Sequence, residues 1–84
     1  MYLARVYITL KPTVNDPQGI TVLGGLKSLG FETVSEVRVG KFLEIRLDEA
    51  DRHRAESAAR EMCEKLLANP VIEQYSVELV ELPG

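Results

Sequence analysis

Between Cys63 and Glu73 the apolar pattern of this chain changes period across a single Asn-Pro step. Upstream, Ala55, Ala58, Ala59, Met62, Cys63, Leu66 and Leu67 recur at i, i+3, i+4, i+7 and i+8, the inward stripe of an amphipathic helix over about 51–68. Downstream, Tyr75, Val77 and Leu79 alternate with polar residues, which reads as a strand from Ile72 to about Leu82. Pro70 lacks a backbone N–H and disfavours helical geometry in Asn69, so the helix must stop there. Asparagine also tolerates the left-handed conformation common at helix ends. A polar stop this tight places Asn69 and Glu73 at an exposed corner, and it fixes a helix directly ahead of the last strand.

The same tests order the rest of the chain. Ala4, Val6, Ile8 and Leu10 share one face of a strand over 2–11, with Arg5, Tyr7, Thr9 and Lys11 on the other, and Pro12 ends it. Asp16 suits a helix N-cap and Pro17 the first helical position, where a missing donor costs nothing. That helix runs to about Leu29, with Ile20, Leu23 and Leu26 inward and Gly30 as a left-handed terminator. Gly24 and Gly25 lie inside it at about 1 kcal/mol each relative to alanine, which points to a close neighbour rather than to a phosphate loop. Residues 33–48 read as two short strands joined at Gly40, with Val37, Val39, Leu43, Ile45 and Leu47 inward. Gly40-Lys41 would be the hairpin tip; a bulge at Gly40 in one bent strand is the alternative.

The order β-α-β-β-α-β predicts one α+β domain over 1–84 of ferredoxin-like type, an antiparallel sheet with both helices packed on one face. Its other face mixes Tyr7, Thr9, Phe42, Ser76 and Val80 with charged residues, and a half-apolar open face on so small a domain is a candidate subunit interface. With 84 residues the chain buries only about 60–65 % of its unfolded surface, a marginal core that makes self-association a reasonable expectation. A net charge of −3 argues against nucleic acid and gives no support for an anionic membrane surface. Met1 to Lys11 alternates and carries Arg5, unlike a secretory apolar run, and one cysteine cannot form an intrachain disulfide. A cytoplasmic protein is expected.

Residues for autonomous chemistry are few. His53 and Cys63 are the sole histidine and cysteine, too few for structural zinc or a nucleophile-base pair. Cys63 lies on the helix's apolar stripe and reads as core, whereas His53 reads as solvated. Asp48, Glu49 and Asp51 sit where a strand passes into a helix, which capping and the helix dipole explain. No catalytic, cofactor-binding or metal residue is expected. What remains is a set of polar residues at loops and corners: Asp16, Gln18, Arg38, Gly40, Lys41, Asn69 and Glu73. Capping and turns account for Asp16, Pro17, Gly30 and Pro70. Arg38 and Lys41, two cations flanking one turn, could meet an acidic partner.

Taken in order, Asp16-Pro17-Gln18-Gly19, Leu29-Gly30, Val37-Arg38-Val39-Gly40-Lys41 and the Cys63–Tyr75 corner resemble the PurS family, the small subunits of phosphoribosylformylglycinamidine (FGAM) synthase. Gly24-Gly25 is unusually glycine-rich for that family's first helix. The resemblance implies a subunit of a complex that makes an amidine from formylglycinamide ribonucleotide in purine biosynthesis. ATP and magnesium would be used by a PurL-like synthetase subunit, with ammonia supplied by a PurQ-like glutaminase subunit and no cofactor on this chain. It further implies a homodimer or tetramer that bridges the two partners and supports ammonia transfer. Arg38, Gly40, Lys41, Asn69 and Glu73 would be subunit-interface positions. Two rivals are a ferredoxin-like regulatory domain that binds a small effector and an acylphosphatase-like enzyme. For the second, Lys11-Pro12-Thr13-Val14-Asn15 lacks the arginine that an anion-cradling loop needs.

Overall fold

A computed structural model describes residues 1–83. Its sheet is antiparallel and three-stranded: β1 (Tyr2–Leu10) is central, flanked by β2 (Gly40–Leu47) and β3 (Glu73–Glu81). Val6 stands opposite Leu43 on one side and Val77 on the other, so the inward alternation of all three strands is in phase. The helix α2 (Arg52–Met62) crosses the inner face and continues into a π-helical turn, Cys63–Leu67. Ala4, Val6, Ala55, Ala59 and Cys63 are fully buried; three of them are alanines, which lets α2 lie close to β1. Val6, Ile8, Cys63 and Ala68 form the core, with Leu43, Ile45, Leu67, Tyr75 and Val77 packed around it.

The π turn revises the helical stripe. Ala68 N–H bonds the Cys63 carbonyl five residues back, at 3.0 Å, so one extra residue enters the turn. Leu66, expected inward, is instead 82 % exposed, and Ala68 is buried in its place. Asn69 does not use the left-handed region; among the described residues only Gly30 has positive φ, at 98°. There it ends the other helix, α1 (Pro17–Ser28), as its position after Leu29 predicts.

Asp16 begins α1 and does more than cap it. One carboxylate oxygen accepts the Gly19 amide at 2.9 Å, while the other accepts the Val39 amide at 2.7 Å, 23 residues away. Gly19 allows this approach: a Cβ there would run into the Val37 carbonyl oxygen. Asp16 as a residue is 4 % exposed, and the Val39 and Gly19 bonds hold its carboxylate pKa below the usual aspartate value.

Beyond this clamp the structure departs from expectation. Residues 34–39 form no strand and lead directly into β2, so Gly40 is neither a hairpin tip nor a bulge. It is glycine because it pairs closely with Thr9; a Cβ would lie 2.6 Å from the Ile8 carbonyl oxygen. The ferredoxin-like α+β class is as expected, but one strand rather than two lies between the helices, and α1, expected to pack on the sheet face beside α2, makes no extended contact with the sheet or α2. Ile20, expected inward, is 59 % exposed, and Leu23 and Leu26 are only half-buried. The radius of gyration is 16.4 Å, against about 12 Å for a compact domain of this length.

Two outcomes follow. Ile8→Ala should cost about 2–5 kcal/mol in urea unfolding, whereas exposed His53→Ala should stay within about 0.5 kcal/mol. Because the folded state lowers the Asp16 pKa, its ionised carboxylate stabilises the fold fully above the ordinary aspartate value of 3.8. That contribution is lost as pH falls through the lowered folded value. The stability gap between the native chain and Asp16→Asn should therefore narrow on acidification through this window, measured by urea unfolding at each pH.

Candidate functional site

Three segments meet beyond the C-terminal end of β1: the 11–16 loop, residues 38–41, and the 67–73 corner. The β1 register holds them together, since Thr9 pairs with Gly40 and Gln74, and Leu10 with Glu73. Lys11 N–H then donates to the Ile72 carbonyl at 2.8 Å, which extends the pairing into the loop.

Asn69 and Glu73 close the corner on each other. The Glu73 carboxylate accepts the Asn69 amide at 2.7 Å, and the Asn69 carbonyl accepts the Glu73 amide at 2.7 Å. The Asn69 side-chain oxygen accepts Val71 N–H at 3.1 Å, an Asx turn across Pro70. Lys41 completes the group: its ammonium lies 3.6 Å from the second Glu73 oxygen and donates to the Leu67 carbonyl at 3.3 Å. A cation is well placed there, because Leu67 ends the π turn and its carbonyl has no helical partner. The Glu73 side chain is 17 % exposed and that of Lys41 56 %, so the carboxylate is structural and the ammonium faces out.

Arg38 lies to one side of this group. Its guanidinium donates to the carbonyls of Lys11 (3.1 Å) and Val14 (2.9 Å), tying down the loop before Asp16. The structure thus brings Gly40, Lys41, Asn69 and Glu73 to one corner, with Arg38 on the adjoining loop. Asp16, Pro17 and Gly30 serve α1, and Pro70 the Asn69 turn. The reach of Asp16 to Val39 and the approach of Gly19 to Val37 were not anticipated; no local pattern marks a contact across that separation. The π turn also carried no signal, because the helical stripe continues through it without interruption.

Cys63 and Tyr75 are engaged internally, and His53 is solvated. Cys63 is fully buried, and burial raises its thiol pKa, which favours the unreactive protonated form. The Tyr75 hydroxyl donates to Glu64 at 2.7 Å, and that bond, followed by desolvation, raises its pKa. His53 is exposed, with its backbone amide capped by Asp51 at 3.0 Å; Glu49 accepts the Ala50 and Asp51 amides, so these acids cap the helix start. Among the described residues no cluster of three or more metal-ligating side chains occurs, and no helix is long and apolar enough to cross a membrane. On the open sheet face Arg5 bridges Glu44 (3.4 Å) and Glu78 (3.1 Å), beside Tyr7 and Phe42 with ring centroids 5.0 Å apart.

Comparison with known proteins agrees over the whole length. The family model described as PurS, phosphoribosylformylglycinamidine (FGAM) synthase, matches residues 3–81. A phosphoribosylformylglycinamidine synthase subunit PurS of Synechocystis sp. is 46 % identical over 83 residues, covering 99 % of this chain and 83 % of the relative. The crystal structure of Methanocaldococcus jannaschii PurS, a formylglycinamide ribonucleotide amidotransferase subunit of the purine biosynthetic pathway, superposes with a TM-score of 0.89 at 40 % identity. That match covers 99 % of this chain and all of the other. A chain of the PurLQS structure from Thermotoga maritima superposes with a TM-score of 0.84 at 26 % identity, covering 95 % of this chain and 99 % of that one. With the family model matched over residues 3–81 and a relative 46 % identical over 83 residues, the chain belongs to the PurS family of FGAM synthase subunits.

Proposed function

We propose that this chain is a non-catalytic adaptor that bridges a PurL-like synthetase subunit and a PurQ-like glutaminase subunit in the cytoplasm. The observation that carries this reading is the whole-length match to a chain of the Thermotoga maritima PurLQS structure. The chain's own chemistry supports it: Cys63 is buried, the Tyr75 hydroxyl is committed to Glu64, and the polar corner is built from turn-forming bonds that leave Lys41 facing solvent. ATP and magnesium then belong to the synthetase and the nucleophile for glutamine to the glutaminase. This chain binds no cofactor.

The adaptor's contribution is positional. Ammonia passing between two active sites is protonated on contact with water, so the sites must be held in register and shielded. Fixing that register in advance removes an entropic part of the barrier. The corner of Gly40, Lys41, Asn69 and Glu73, with Arg38 beside it, is the docking surface in this reading.

Reconstitution with both partners tests it. Glutamine-dependent product formation and co-elution should both require this chain; partners that work equally well without it would overturn the adaptor reading. At the corner, Lys41→Glu removes a 3.6 Å ion pair whose ammonium is 56 % exposed, a loss of about 1 kcal/mol, so the fold should survive. Assembly should nevertheless weaken about tenfold or more, with altered salt dependence, as reversing a docking charge does. Unchanged assembly by the folded variant would remove Lys41 from the interface.

A further inference from the structure

We propose that Val71 is the anchor by which this chain docks on the glutaminase subunit, seated in an apolar socket whose rim carries carboxylates for Lys41. The inference rests on the adaptor reading and names one contact within it. Val71 lies in the turn that joins the π turn to β3, and it is 77 % exposed; Ile72 beside it is 38 % exposed. A single exposed valine is ordinary on a protein surface. This one is set apart by how firmly its backbone is held and by the charges around it.

Every backbone amide from Asn69 to Glu73 is committed inside the chain, Pro70 having none to commit. Asn69 N–H donates to the Glu73 carboxylate at 2.7 Å, and Val71 N–H to the Asn69 side-chain oxygen at 3.1 Å. The Asn69 carbonyl accepts the amides of Ile72 at 3.2 Å and Glu73 at 2.7 Å. The Ile72 carbonyl accepts Lys11 N–H at 2.8 Å, which fastens the turn to the loop after β1. Pro70 fixes one further φ. None of these bonds uses the Val71 side chain, which the turn holds out to solvent. A β-branched side chain has one stiff torsion, so on a fixed turn it loses little freedom when it docks. Such preorganisation lowers the entropic cost of binding and makes a small apolar contact count.

Charge selects the partner. The chain carries −3 overall, yet the segments that form the corner bring Lys11, Arg38 and Lys41 together. Their carboxylates are engaged internally: Asp16 holds the Gly19 and Val39 amides, and Glu73 holds the Asn69 amide and Lys41. The Lys41 ammonium is nevertheless 56 % exposed. The surface offered is an apolar tip flanked by cations, and its complement is an apolar socket with an acidic rim. A synthetase that binds ATP and a phosphorylated ribonucleotide must gather cations around its site, and their field repels a cationic docking surface. Glutamine carries no phosphate and imposes no such field on the glutaminase. The glutaminase is therefore the subunit that the charge favours.

The test uses the complex reconstituted from the full chain and both partner subunits. A photoreactive p-benzoylphenylalanine placed at position 71 should, on irradiation, form an adduct with the glutaminase. An adduct only with the synthetase, only with a second copy of this chain, or none in an assembled complex overturns the proposal. Titration gives a second measure. Val71→Ser should weaken assembly about tenfold or more, whereas Val71→Ile, which keeps the apolar contact, should stay within about threefold of the native chain. Both variants should unfold at the native urea midpoint, so lost assembly is not lost folding. Val71→Ser should also dissociate faster with its salt dependence unchanged, in contrast to Lys41→Glu. If product formation needs the chain and the Val71 variants assemble as the native chain does, the anchor fails and the adaptor reading stands. Product formation that needs no chain at all overturns both.

Discussion

Everything in this structure hangs on the central position of β1. Its hydrogen-bonding groups face strands on both sides, and its inward residues Val6 and Ile8 are at most 1 % exposed beneath α2. A strand paired on both edges cannot shift by one residue without turning both residues out to solvent and disturbing two registers together. β1 therefore sets the places of Gly40, Gln74 and Glu73, and through them the corner. The corner is a consequence of sheet register, carried one residue further by the bond from Lys11 to Ile72.

The features that could be read in the sequence are those decided within a few residues. The alternation of β1, the Asp16-Pro17 start of α1, the left-handed Gly30 and the stop at Asn69-Pro70 depend on local sterics and capping, and all appear in the structure. Gly40 shows where such reading ends. A glycine between two alternating stretches looks like a turn, and here it is a point where two backbones come too close for a Cβ. Only the identity of the neighbour, Ile8, separates the two cases, and Ile8 is far away in sequence. The same holds for Ile20 and Leu66, whose apolar character was plain while the surface each covers was not.

At the site, position was legible only in part and partnership was not. Asn69 was expected at an exposed turn and lies in one, whereas Lys41, expected at a hairpin tip, lies within β2, and Glu73 opens β3 with its side chain only 17 % exposed. That Lys41 closes the end of a helix while Arg38 ties down a loop could not be seen from their spacing, because each answers to carbonyls of remote segments. Both cations have internal partners, so charge alone was a weak guide to what faces outward; of the corner's ion pair, it is Lys41 that is left available.

The π turn at Cys63–Leu67 can also be considered as a matter of length. A π turn is what an α-helix becomes on absorbing one residue more than its period allows. With one residue fewer, α2 would run on as regular helix, and each following group would point about 100° away from its present direction. The Leu67 carbonyl would then turn from Lys41, and Ala68 would leave the core. The corner is thus the imprint of a single-residue insertion: one residue more in a helix, and a plain helix end becomes a surface with a cation fixed on it.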